Sequence, residues 1–432
     1  MRFLADLAYL IGAVLYLPVL CYQMVVQKKN RRGWGQRLGQ WPIGRPARPR
    51  VWVHAVSLGE INATPLLVGQ LEARLPDHDI VISTTTDTGY ARACKLFGPE
   101  RVFRYPLDFS WVVARVLDRV QPSLIVLIEL EVWYNLVRLA AQRGVPVAVV
   151  NGRLTERSRR RFGLIGPLAR GMFGRLAWVG AQDEPIAARF RELGVPADRV
   201  EVTGSVKWDT TTLADSVDGA RQLAAAMGIS DEVPLWVGGS TGPGEEAILL
   251  EAYDALAGDG REVTLAVVPR KPERFNEVAE LIRGRGHACL RRSEHPDEQR
   301  PADPAAGKPP VLLGDTMGEL RRFYSLAQAV FVGRSLVPMG GSDPMEVAAL
   351  AKAVIVGPHT ENFAAPVDAL RQAGALRVVH DAAELAAAVR ELIDDPDGAR
   401  DRGRLARQVV RDNQGATERT VDRLVSLVQH AR

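Results

Sequence analysis

From residue 50 onward, short apolar runs rich in β-branched residues alternate with longer segments in which apolar residues recur every three or four positions. This alternation is typical of parallel α/β sheets, whose strands are buried on both faces. In the first half the pattern predicts strands at 51–56, 79–85, 123–129, 145–151, 178–182 and 200–204, and helices at 60–75, 89–97, 109–120, 133–143, 155–175 and 184–193. In the second half it predicts strands at 235–240, 263–269, 311–315, 329–333 and 353–357, helices at 244–257, 272–284, 318–327 and 343–352, and then helices to the end. The sequence therefore predicts an α/β protein with two doubly wound, Rossmann-like sheets.

A stretch of low apolar content at 209–218 separates the two series of elements and predicts a linker. It divides the chain into one domain at 33–208 and a second at 219–432, with residues 1–32 preceding both. A polar, proline-rich stretch at 291–310 predicts a surface loop. Because doubly wound sheets bind ligands at the carboxyl ends of their strands, we expect a ligand between the two domains.

The N-terminal segment has a different pattern. Residues 7–26 include no charged side chain over 20 positions, which at about 1.5 Å per residue is enough to cross roughly 30 Å of hydrocarbon. The basic run KKNRR (28–32) follows it, whereas a secretory signal peptide has its basic residues before the apolar core. We expect a membrane anchor that keeps the rest of the chain on the cytoplasmic side and rests its basic flank on anionic lipid. Spanning and one-leaflet arrangements both remain open, and a buried core helix is the alternative.

Composition and motifs remove several classes of function. The chain is 47% apolar and 25% charged, which excludes a disordered protein, and its three cysteines lie too far apart to predict a disulfide framework or a zinc site. The basic excess lies in residues 1–50, next to the apolar run, so a membrane surface is favoured over nucleic acid. The glycine-rich turn at 238–244 matches neither G-x-G-x-x-G nor G-x-x-x-x-G-K-[ST], and the chain has no H-E-x-x-H or G-x-S-x-G motif. These absences disfavour NAD binding, P-loop chemistry, metalloproteases and α/β-hydrolases.

Polar residues at predicted strand ends are the remaining candidates for chemistry in the first domain. Glu60 stands at the start of a predicted helix, where a carboxylate can simply complement the helix dipole. Glu129 ends an otherwise apolar strand and Glu131 follows it, so they form either a functional site or buried carboxylates satisfied by backbone donors. Lys207 follows the last strand, where it is either a functional cation or a solvated linker lysine.

In the second domain, Pro269, Arg270 and Lys271 end a strand, and Gly340–Asp343 opens a predicted helix. Both segments present cations or backbone N–H groups to an anion, although an exposed basic pair and a simple Asp N-cap are the alternatives. A carboxylate base in one domain and an anion cradle in the other suit sugar transfer from a nucleotide-activated donor, since the acceptor hydroxyl loses a proton while a phosphate departs. No metal site is apparent, so we expect cations and dipoles to stabilise the departing phosphate.

Ordered motifs along nearly the whole chain resemble one family. They are HAVSLGE (54–60), TTTDTG (84–89), IELEVWYN (128–135), NGRLTERS (151–158), GSVKWD (204–209), STGPGEE (240–246), PRKPERF (269–275), GDTMGEL (314–320), FVGRSLVPMGGSDPMEVAA (331–349) and GPHTENF (357–363). These motifs are similar to those of the bacterial 3-deoxy-D-manno-octulosonic acid (Kdo) transferases of lipopolysaccharide synthesis. That family comprises membrane-anchored, inverting enzymes of the glycosyltransferase-B fold.

The resemblance implies a role for each matching residue. It makes Glu60 the general base, with Glu129 and Lys207 supporting the transition state. It implies an N-terminal domain that binds the acceptor, CMP-Kdo as donor, a hydroxyl of the lipid A precursor (lipid IVA) as acceptor, and a location at the inner membrane. The implied CMP contacts are Pro269, Arg270, Met317, Gly318, Glu319, Asp343, Pro344, Met345 and Glu346. We expect supporting contacts from Glu131, Ser240, Thr241, Lys271, Arg334 and Asn362.

The chain also departs from the family pattern around the donor site. Gly242 replaces a usual His, Lys271 a His, Arg334 a Gly, Ser342 a His and Asp343 an Asn. Asp343 adds a charge of the same sign as the donor, which the two added cations could offset. Two alternatives therefore stay open: a membrane-associated glycosyltransferase-B enzyme that uses another nucleotide-activated acidic sugar, and a non-catalytic membrane scaffold. The second is disfavoured because a binding protein has no need of a base.

Overall fold

A computed structural model of the protein describes residues 2–26, 32–40, 43–44, 46–295 and 309–430. Most of the basic flank and residues 296–308 of the predicted loop lie outside this range. The chain forms two compact units: unit 1 comprises Met1–Thr210 with Asn413–Arg432, and unit 2 comprises Thr211–Asp412.

Unit 1 is built on a seven-stranded, fully parallel sheet with the strand order 3-2-1-4-5-6-7. Its strands are β1 (Arg50–His54), β2 (Asp79–Thr84), β3 (Val102–Arg104), β4 (Pro122–Ile128), β5 (Val147–Gly152), β6 (Trp178–Ala181) and β7 (Val200–Val202). Its helices before unit 2 are α1 (Arg2–Val25), α2 (Trp34–Arg37), α3 (Leu58–Ala63), α4 (Pro65–Arg74), α5 (Asp87–Phe97), α6 (Ser110–Val120), α7 (Tyr134–Gln142), α8 (Glu156–Gly163), α9 (Gly166–Phe173), α10 (Glu184–Glu192) and α11 (Val206–Asp209). Every residue of β1 is buried, as expected of a central parallel strand covered on both faces.

Unit 2 repeats the design with a second seven-stranded parallel sheet, in the order 10-11-9-8-12-13-14. Its strands are β8 (Leu235–Thr241), β9 (Thr264–Pro269), β10 (Cys289–Arg291), β11 (Val311–Leu313), β12 (Ala329–Val332), β13 (Val354–Val356) and β14 (Leu376–Val378). Its helices are α12 (Ala220–Met227), α13 (Glu245–Gly258), α14 (Phe275–Gly284), α15 (Leu320–Leu326), α16 (Met345–Ala348), α17 (Ala364–Gln372), α18 (Ala382–Asp394) and α19 (Pro396–Asn413). The two sheets confirm the predicted α/β class.

The last helix, α20 (Ala416–His430), belongs to unit 1, whereas the sequence analysis assigned the whole of 219–432 to the second domain. Its apolar face, which includes Val421 and Leu424, joins the core beneath β1 and β4. The carboxylate of Asp209 accepts hydrogen bonds from the N–H groups of Gly415 (2.6 Å) and Thr417 (2.5 Å) at the start of the helix. The C-terminal helix therefore completes the first unit.

Several predicted elements differ from those observed. The predicted helix 60–75 is interrupted at Thr64, and Pro65 starts a new helix because it has no N–H to donate. The predicted helix 343–352 reduces to the four residues of α16. The strands that the pattern missed are β3, β10 and β14, three-residue strands at sheet edges, too short to show a hydrophobic period.

Polar side chains near the start of helix α1 join this helix to the rest of unit 1. The carboxylate of Asp6 accepts hydrogen bonds from the Ser110 N–H (2.8 Å) and from the Asn135 side chain (3.0 Å). Farther along, large apolar side chains are exposed, among them Leu10, Ile11, Val14, Leu15, Leu17 and Val19. Within the described ranges, no helix combines the length and the apolar character needed to cross a membrane. The predicted anchor is therefore not confirmed.

Candidate functional site

Each sheet has a switch point at which the chain moves from one side of its first strand to the other, between β1 and β4 in unit 1 and between β8 and β12 in unit 2. In open α/β sheets, ligands bind in the crevice outside the carboxyl ends of the strands at such a point. The predicted site residues follow these four strands: Glu60 comes after β1, Glu129 after β4, Ser240 lies at the end of β8, and Arg334 comes after β12.

Backbone strain is concentrated at the same places. Glu129, Asn151, Ser240 and Arg334 have positive φ angles of 61°, 54°, 54° and 60°, which side chains other than glycine rarely adopt. They stand at the ends of β4, β5, β8 and β12. Such strained residues cluster at sites where function dictates the geometry. The strand β4 ends one residue before Glu129, whereas the sequence predicted Glu129 as the last residue of the strand. The Glu129 N–H donates to the Val150 carbonyl oxygen at 2.9 Å.

Glu60 is part of a local capping arrangement at the start of α3. The Ser57 hydroxyl accepts from the Glu60 N–H (3.3 Å) and donates to Glu60 Oε1 (2.8 Å). The Val56 N–H donates to Glu60 Oε2 at 2.8 Å. This is the reciprocal capping box, which orients the carboxylate at the carboxyl end of β1. These hydrogen bonds hold the Glu60 carboxylate in one orientation while it caps the helix.

The structure brings Glu60, Glu129 and Glu131 together as a group of carboxylates. Burial is the main cause that raises the pKa of Glu60, and the charge of Glu129 raises it further, against the lowering effect of the hydrogen bonds from Val56 and Ser57. Burial also raises the pKa of Glu131, again with contributions from the charges of the other two carboxylates. The Trp133 indole N–H donates to Glu131 Oε2 at 3.0 Å and partly opposes this rise. The group therefore favours uptake of a proton by one of its members.

Lys207 follows β7, the last strand of unit 1. It is half-buried in the one-turn helix α11, where its N–H approaches the Ser205 hydroxyl at 3.4 Å. The preceding N–H, of Val206, donates to Asn151 Oδ1 at 3.3 Å and joins this helix to the end of β5. In the described part of the chain, the Lys207 ammonium forms no ion pair with Glu60, Glu129 or Glu131.

In unit 2, Glu245 connects the two loops at the switch point, a role that the sequence analysis missed. Its fully buried carboxylate accepts hydrogen bonds from the N–H groups of Gly242 (2.8 Å), Arg334 (2.5 Å), Ser335 (2.8 Å) and Leu336 (2.9 Å). Burial still raises its pKa, because four donors do not fully replace water. The available sequence signal was the acidic pair that directly follows a glycine-rich turn.

The neighbouring Glu246 forms a buried ion pair with Arg274. The guanidinium donates to both oxygens, at 2.5 and 3.1 Å, and the Thr241 hydroxyl donates to Oε1 at 2.7 Å. This pair anchors the end of β8 to the segment that follows β9. It therefore positions the predicted contacts Ser240 and Thr241.

Gly242 and Arg334, two departures from the family pattern, occupy adjoining space. A Cβ at residue 242 would lie 2.7 Å from Met339 Sδ and 3.2 Å from Arg334 Cγ. The Arg334 guanidinium donates to the Met339 carbonyl oxygen at 3.2 Å, and the Asn362 side chain reaches the same oxygen at 3.4 Å. The absence of a side chain at residue 242 thus leaves room for the arginine, so the two departures are linked sterically.

Three of the predicted CMP contacts and one predicted supporting residue lie around the buried phenol of Tyr324. Burial raises its pKa well above the ordinary value; the charges of Glu346 and Asp343 raise it further, while Arg270 and a hydrogen bond with Ser240 lower it. Asp343 Oδ1 accepts from the Met345 N–H at 2.8 Å, and the side chain of Arg270 is exposed. The structure therefore brings Ser240, Arg270, Asp343 and Glu346 together at one edge of the sheet.

The remaining predicted contacts lie beside this group. Glu319 is buried and paired with Arg292 (2.9 and 3.0 Å) and Arg322 (2.8 Å), and these partners lower its pKa against the opposing effect of burial. Met317 is 69% exposed, and Gly318 has a φ of 90°. Pro269 ends β9, Lys271 is exposed beyond it, and Pro344 and Met345 are buried at the start of α16.

Among the residues that the structure describes, no group of three His, Cys, Asp or Glu side chains is suited to hold a metal ion.

Comparison with known proteins places this geometry in a family. Residues 32–210 match the family model described as 3-deoxy-D-manno-octulosonic-acid transferase (kdotransferase). A 3-deoxy-D-manno-octulosonic acid transferase of Haemophilus influenzae is 34% identical over 419 residues, which cover 94% of each chain. One of Bordetella pertussis is 36% identical over 89% of this chain and 92% of its own. A glycosyltransferase from Rickettsia africae, 13% identical, covers 88% of this chain and 99% of its own with a TM-score of 0.55, a likeness of fold alone. The chain therefore belongs to the family of 3-deoxy-D-manno-octulosonic acid transferases and is a glycosyltransferase with the two-domain α/β fold of the glycosyltransferase-B type.

Proposed function

We propose that the protein transfers Kdo from CMP-Kdo to a hydroxyl group of the lipid A precursor lipid IVA, with inversion at the transferred carbon and with Glu60 as the general base. The observation that carries the proposal is the group of three carboxylates at the switch point of unit 1. A base is needed there because the acceptor hydroxyl must lose its proton as its oxygen attacks the sugar.

The surroundings of Glu60 suit this role. A general base works best when its pKa is near the working pH, and burial together with the charge of Glu129 moves the pKa of Glu60 in that direction. The capping box fixes the carboxylate, which lowers the cost of orienting it against a hydroxyl group. Glu129 would then act chiefly through its charge, and Lys207 would stabilise negative charge on the departing group.

The donor would bind to unit 2 at the carboxyl ends of β8, β9 and β12. CMP-Kdo carries a phosphodiester and a carboxylate, and the exposed side chain of Arg270 offers a cation for one of them. The nucleotide would contact the segments 317–319 and 343–346. Because Asp343 and Glu346 are acidic, we assign the offsetting positive charge to Lys271 and Arg334.

The first test is to incubate the purified full chain, in detergent, with lipid IVA and freshly prepared CMP-Kdo, and to measure the mass of the lipid. We expect added Kdo residues in wild type and a rate about 10²- to 10⁴-fold lower in Glu60→Gln. The configuration of the new bond, read by NMR, should be inverted. A wild-type protein that binds CMP but adds no Kdo would turn the search to other nucleotide-activated acidic sugars.

The matched control separates catalysis from helix capping. Ser57→Ala removes the capping hydroxyl but keeps the Glu60 carboxylate, so it should lower stability by about 0.5–2 kcal/mol and retain most of the activity. Full activity in Glu60→Gln would overturn the assignment of the base. Equal losses in both variants would mean that the carboxylate serves only to cap α3.

We also propose that α1 associates with the inner membrane from its cytoplasmic side. Its first turns are hydrogen-bonded to unit 1 through Asp6, while apolar side chains such as Leu15 (74% exposed) point away from the protein. A helix of this kind rests in one leaflet. Flotation with anionic vesicles should carry wild type upward and should leave a Leu15→Glu, Ile11→Glu variant behind.

A further inference from the structure

A cavity of about 210 Å³ lies in unit 1 between α1 and the carboxyl ends of the strands. Its walls are Tyr9 and Ala13 of α1, Arg37, Thr85 after β2, residues 105–109 after β3, and Trp133 after β4. Most of this lining is apolar. Pockets that bury a whole small ligand measure about 300–1,000 Å³, so this cavity is suited to one portion of a larger molecule.

Two buried polar groups in the wall lack partners among the described residues. Arg37 is 8% exposed, and although one of its terminal nitrogens donates to the Thr85 carbonyl oxygen at 2.6 Å, its Nε has no hydrogen-bond partner. Tyr105 is 6% exposed, and its hydroxyl group likewise has none. A buried donor without a partner is costly, and a ligand in this cavity would supply the missing acceptor.

The charge around Arg37 favours an anion as that acceptor. Burial lowers the pKa of Arg37, the nearby charge of Arg104 lowers it further, and Asp87 raises it. Asp87 already forms an ion pair with Arg104 at 2.6 Å, so two arginines share one carboxylate. The remaining positive charge lies in the wall of an apolar cavity, where an unpaired charge is strongly disfavoured until an anion arrives.

One carboxyl group, that of Asp108, also lines the cavity, but its oxygens are hydrogen-bonded to groups other than Arg37. Its oxygens accept hydrogen bonds from the N–H groups of Asn135 (2.8 Å) and Leu136 (2.9 Å) at the start of α7, and it is also hydrogen-bonded by Tyr9. Burial raises its pKa to about 7, so its negative charge is weak at neutral pH. Asp108 therefore does not neutralise Arg37.

Two lining residues connect the cavity to other features of unit 1. Trp133 lines it and donates to Glu131, a member of the carboxylate group that contains Glu60. Ala13 lines it as well and belongs to α1, whose exposed apolar side chains follow along the same helix. A ligand in this cavity would therefore contact both α1 and the tryptophan beside the carboxylate group.

We propose that this cavity binds one acyl chain of an anionic lipid and that Arg37 contacts the lipid's phosphate group. The proposal rests on the proposed function, because it makes the occupant the lipid acceptor held by its chain while its sugar hydroxyl faces Glu60. The Tyr105 hydroxyl would donate to the carbonyl oxygen by which the chain is attached. Arg37 is then a residue that determines specificity for phosphorylated, acylated acceptors.

The binding test uses decyl phosphate, below the concentration at which it forms micelles, titrated into the full chain by calorimetry. Decyl maltoside and inorganic phosphate are titrated separately, because they offer the chain without the anion and the anion without the chain. We expect decyl phosphate to bind at least about tenfold more tightly than either. Equal affinity for decyl phosphate and decyl maltoside would overturn the role of Arg37, and binding of inorganic phosphate alone would overturn the role of the cavity.

Two pairs of variants locate the binding. Ala13→Trp fills the cavity from an exposed position on α1, and Val14→Trp places the same side chain one residue further on, where it does not line the cavity. Arg37→Gln removes the charge, and Arg48→Gln is the matched change at an exposed arginine of the same unit. We expect decyl phosphate affinity to fall about tenfold or more in the first member of each pair only. Ala13→Trp changes an exposed side chain, so this variant should fold. It therefore still tests the proposal if Arg37→Gln does not fold.

Kinetics then separate this inference from the proposed function. Ala13→Trp should raise KM about tenfold for lipid IVA but leave KM unchanged for the same phosphorylated disaccharide without its acyl chains. If wild type transfers Kdo and Ala13→Trp still binds decyl phosphate and lipid IVA normally, only the cavity assignment is wrong. If wild type transfers no Kdo, the proposed function fails while the decyl phosphate titration still decides what the cavity binds.

Discussion

Replacement of Glu245 tests which hydrogen bonds stabilise the loops at the switch point of unit 2. Its carboxylate is the shared acceptor for the N–H groups of Gly242 and of the three consecutive residues 334–336. Replacement by Leu keeps the approximate size and apolar stem of the side chain but removes both oxygens. Four N–H groups beside a fully buried position then lose their acceptor.

The cost follows from the number of groups left without partners. A buried donor without an acceptor costs about 1–3 kcal/mol, so four of them would cost about 4 kcal/mol even at the low end of that range. Some of this is recovered if the loop moves toward water, and the removal of a buried carboxylate is itself favourable, as the raised pKa of Glu245 indicates. We expect a net loss of about 3 kcal/mol, a large part of a total stability of about 5–15 kcal/mol.

Urea unfolding measures the global loss, and hydrogen exchange read by mass spectrometry measures the local one at residues 334–336. Glu245→Leu should lower the free energy of unfolding of unit 2 and remove the protection of those amides. Glu251→Leu, at an exposed position on the same helix, is the matched control and should change neither quantity. If Glu245→Leu stays within about 0.5 kcal/mol of wild type and keeps its amides protected, the four hydrogen bonds do not stabilise the loop as argued.

Three further predictions test other groups. Arg274→Met leaves the buried carboxylate of Glu246 uncompensated and should cost about 3–5 kcal/mol in urea unfolding, whereas adding Glu246→Leu should recover much of the loss; a double variant no more stable than the single one would contradict this. Because Glu60 must be ionised to act as the proposed base, the transfer rate at low substrate should rise as the pH rises through its raised pKa. Glu129→Gln should move that inflection to lower pH, since the charge of Glu129 raises the pKa, and an unmoved inflection would show that the two carboxylates are not coupled. The pKa of Asp108 is raised to about 7, so its contribution to stability is complete below its ordinary pKa and is lost as the pH rises through about 7; melting curves between about pH 5 and pH 8 should show this decline in wild type and a flatter profile in Asp108→Asn.

Local sequence patterns predicted much of the fold because each strand and helix carries its own period. A long central strand such as β4 is a nearly continuous apolar run, so its position is visible in the sequence alone. The positions of Glu60 and Glu129 at strand ends were visible for the same reason. The hydrogen bonds between Glu60 and Ser57 are likewise local, because a capping box spans only four residues, although the sequence analysis did not predict them.

Contacts between distant parts of the chain could not be predicted in this way. The apolar face of α20 shows that it packs against something, but only the folded chain shows that it packs on unit 1. Arg37 resembles any other residue of a basic N-terminal region, and its burial beside Thr85 depends on a contact 48 residues away. Glu245 resembles an ordinary first-turn glutamate until the loop at 334–336 closes on it.

The sequence by itself determined the α/β class, the positions of the long strands, the family motifs and the carboxylates at the strand ends, because these depend on residues close together in the chain. Only the tertiary structure decided which charges are buried, which donors lack acceptors, and where the cavity beside α1 lies. Those properties depend on how much water is excluded when segments more than a hundred residues apart pack together. The contact of Asp6 with Ser110 and Asn135 is an example. Desolvation is a property of the packed chain, and no local pattern of residues specifies it.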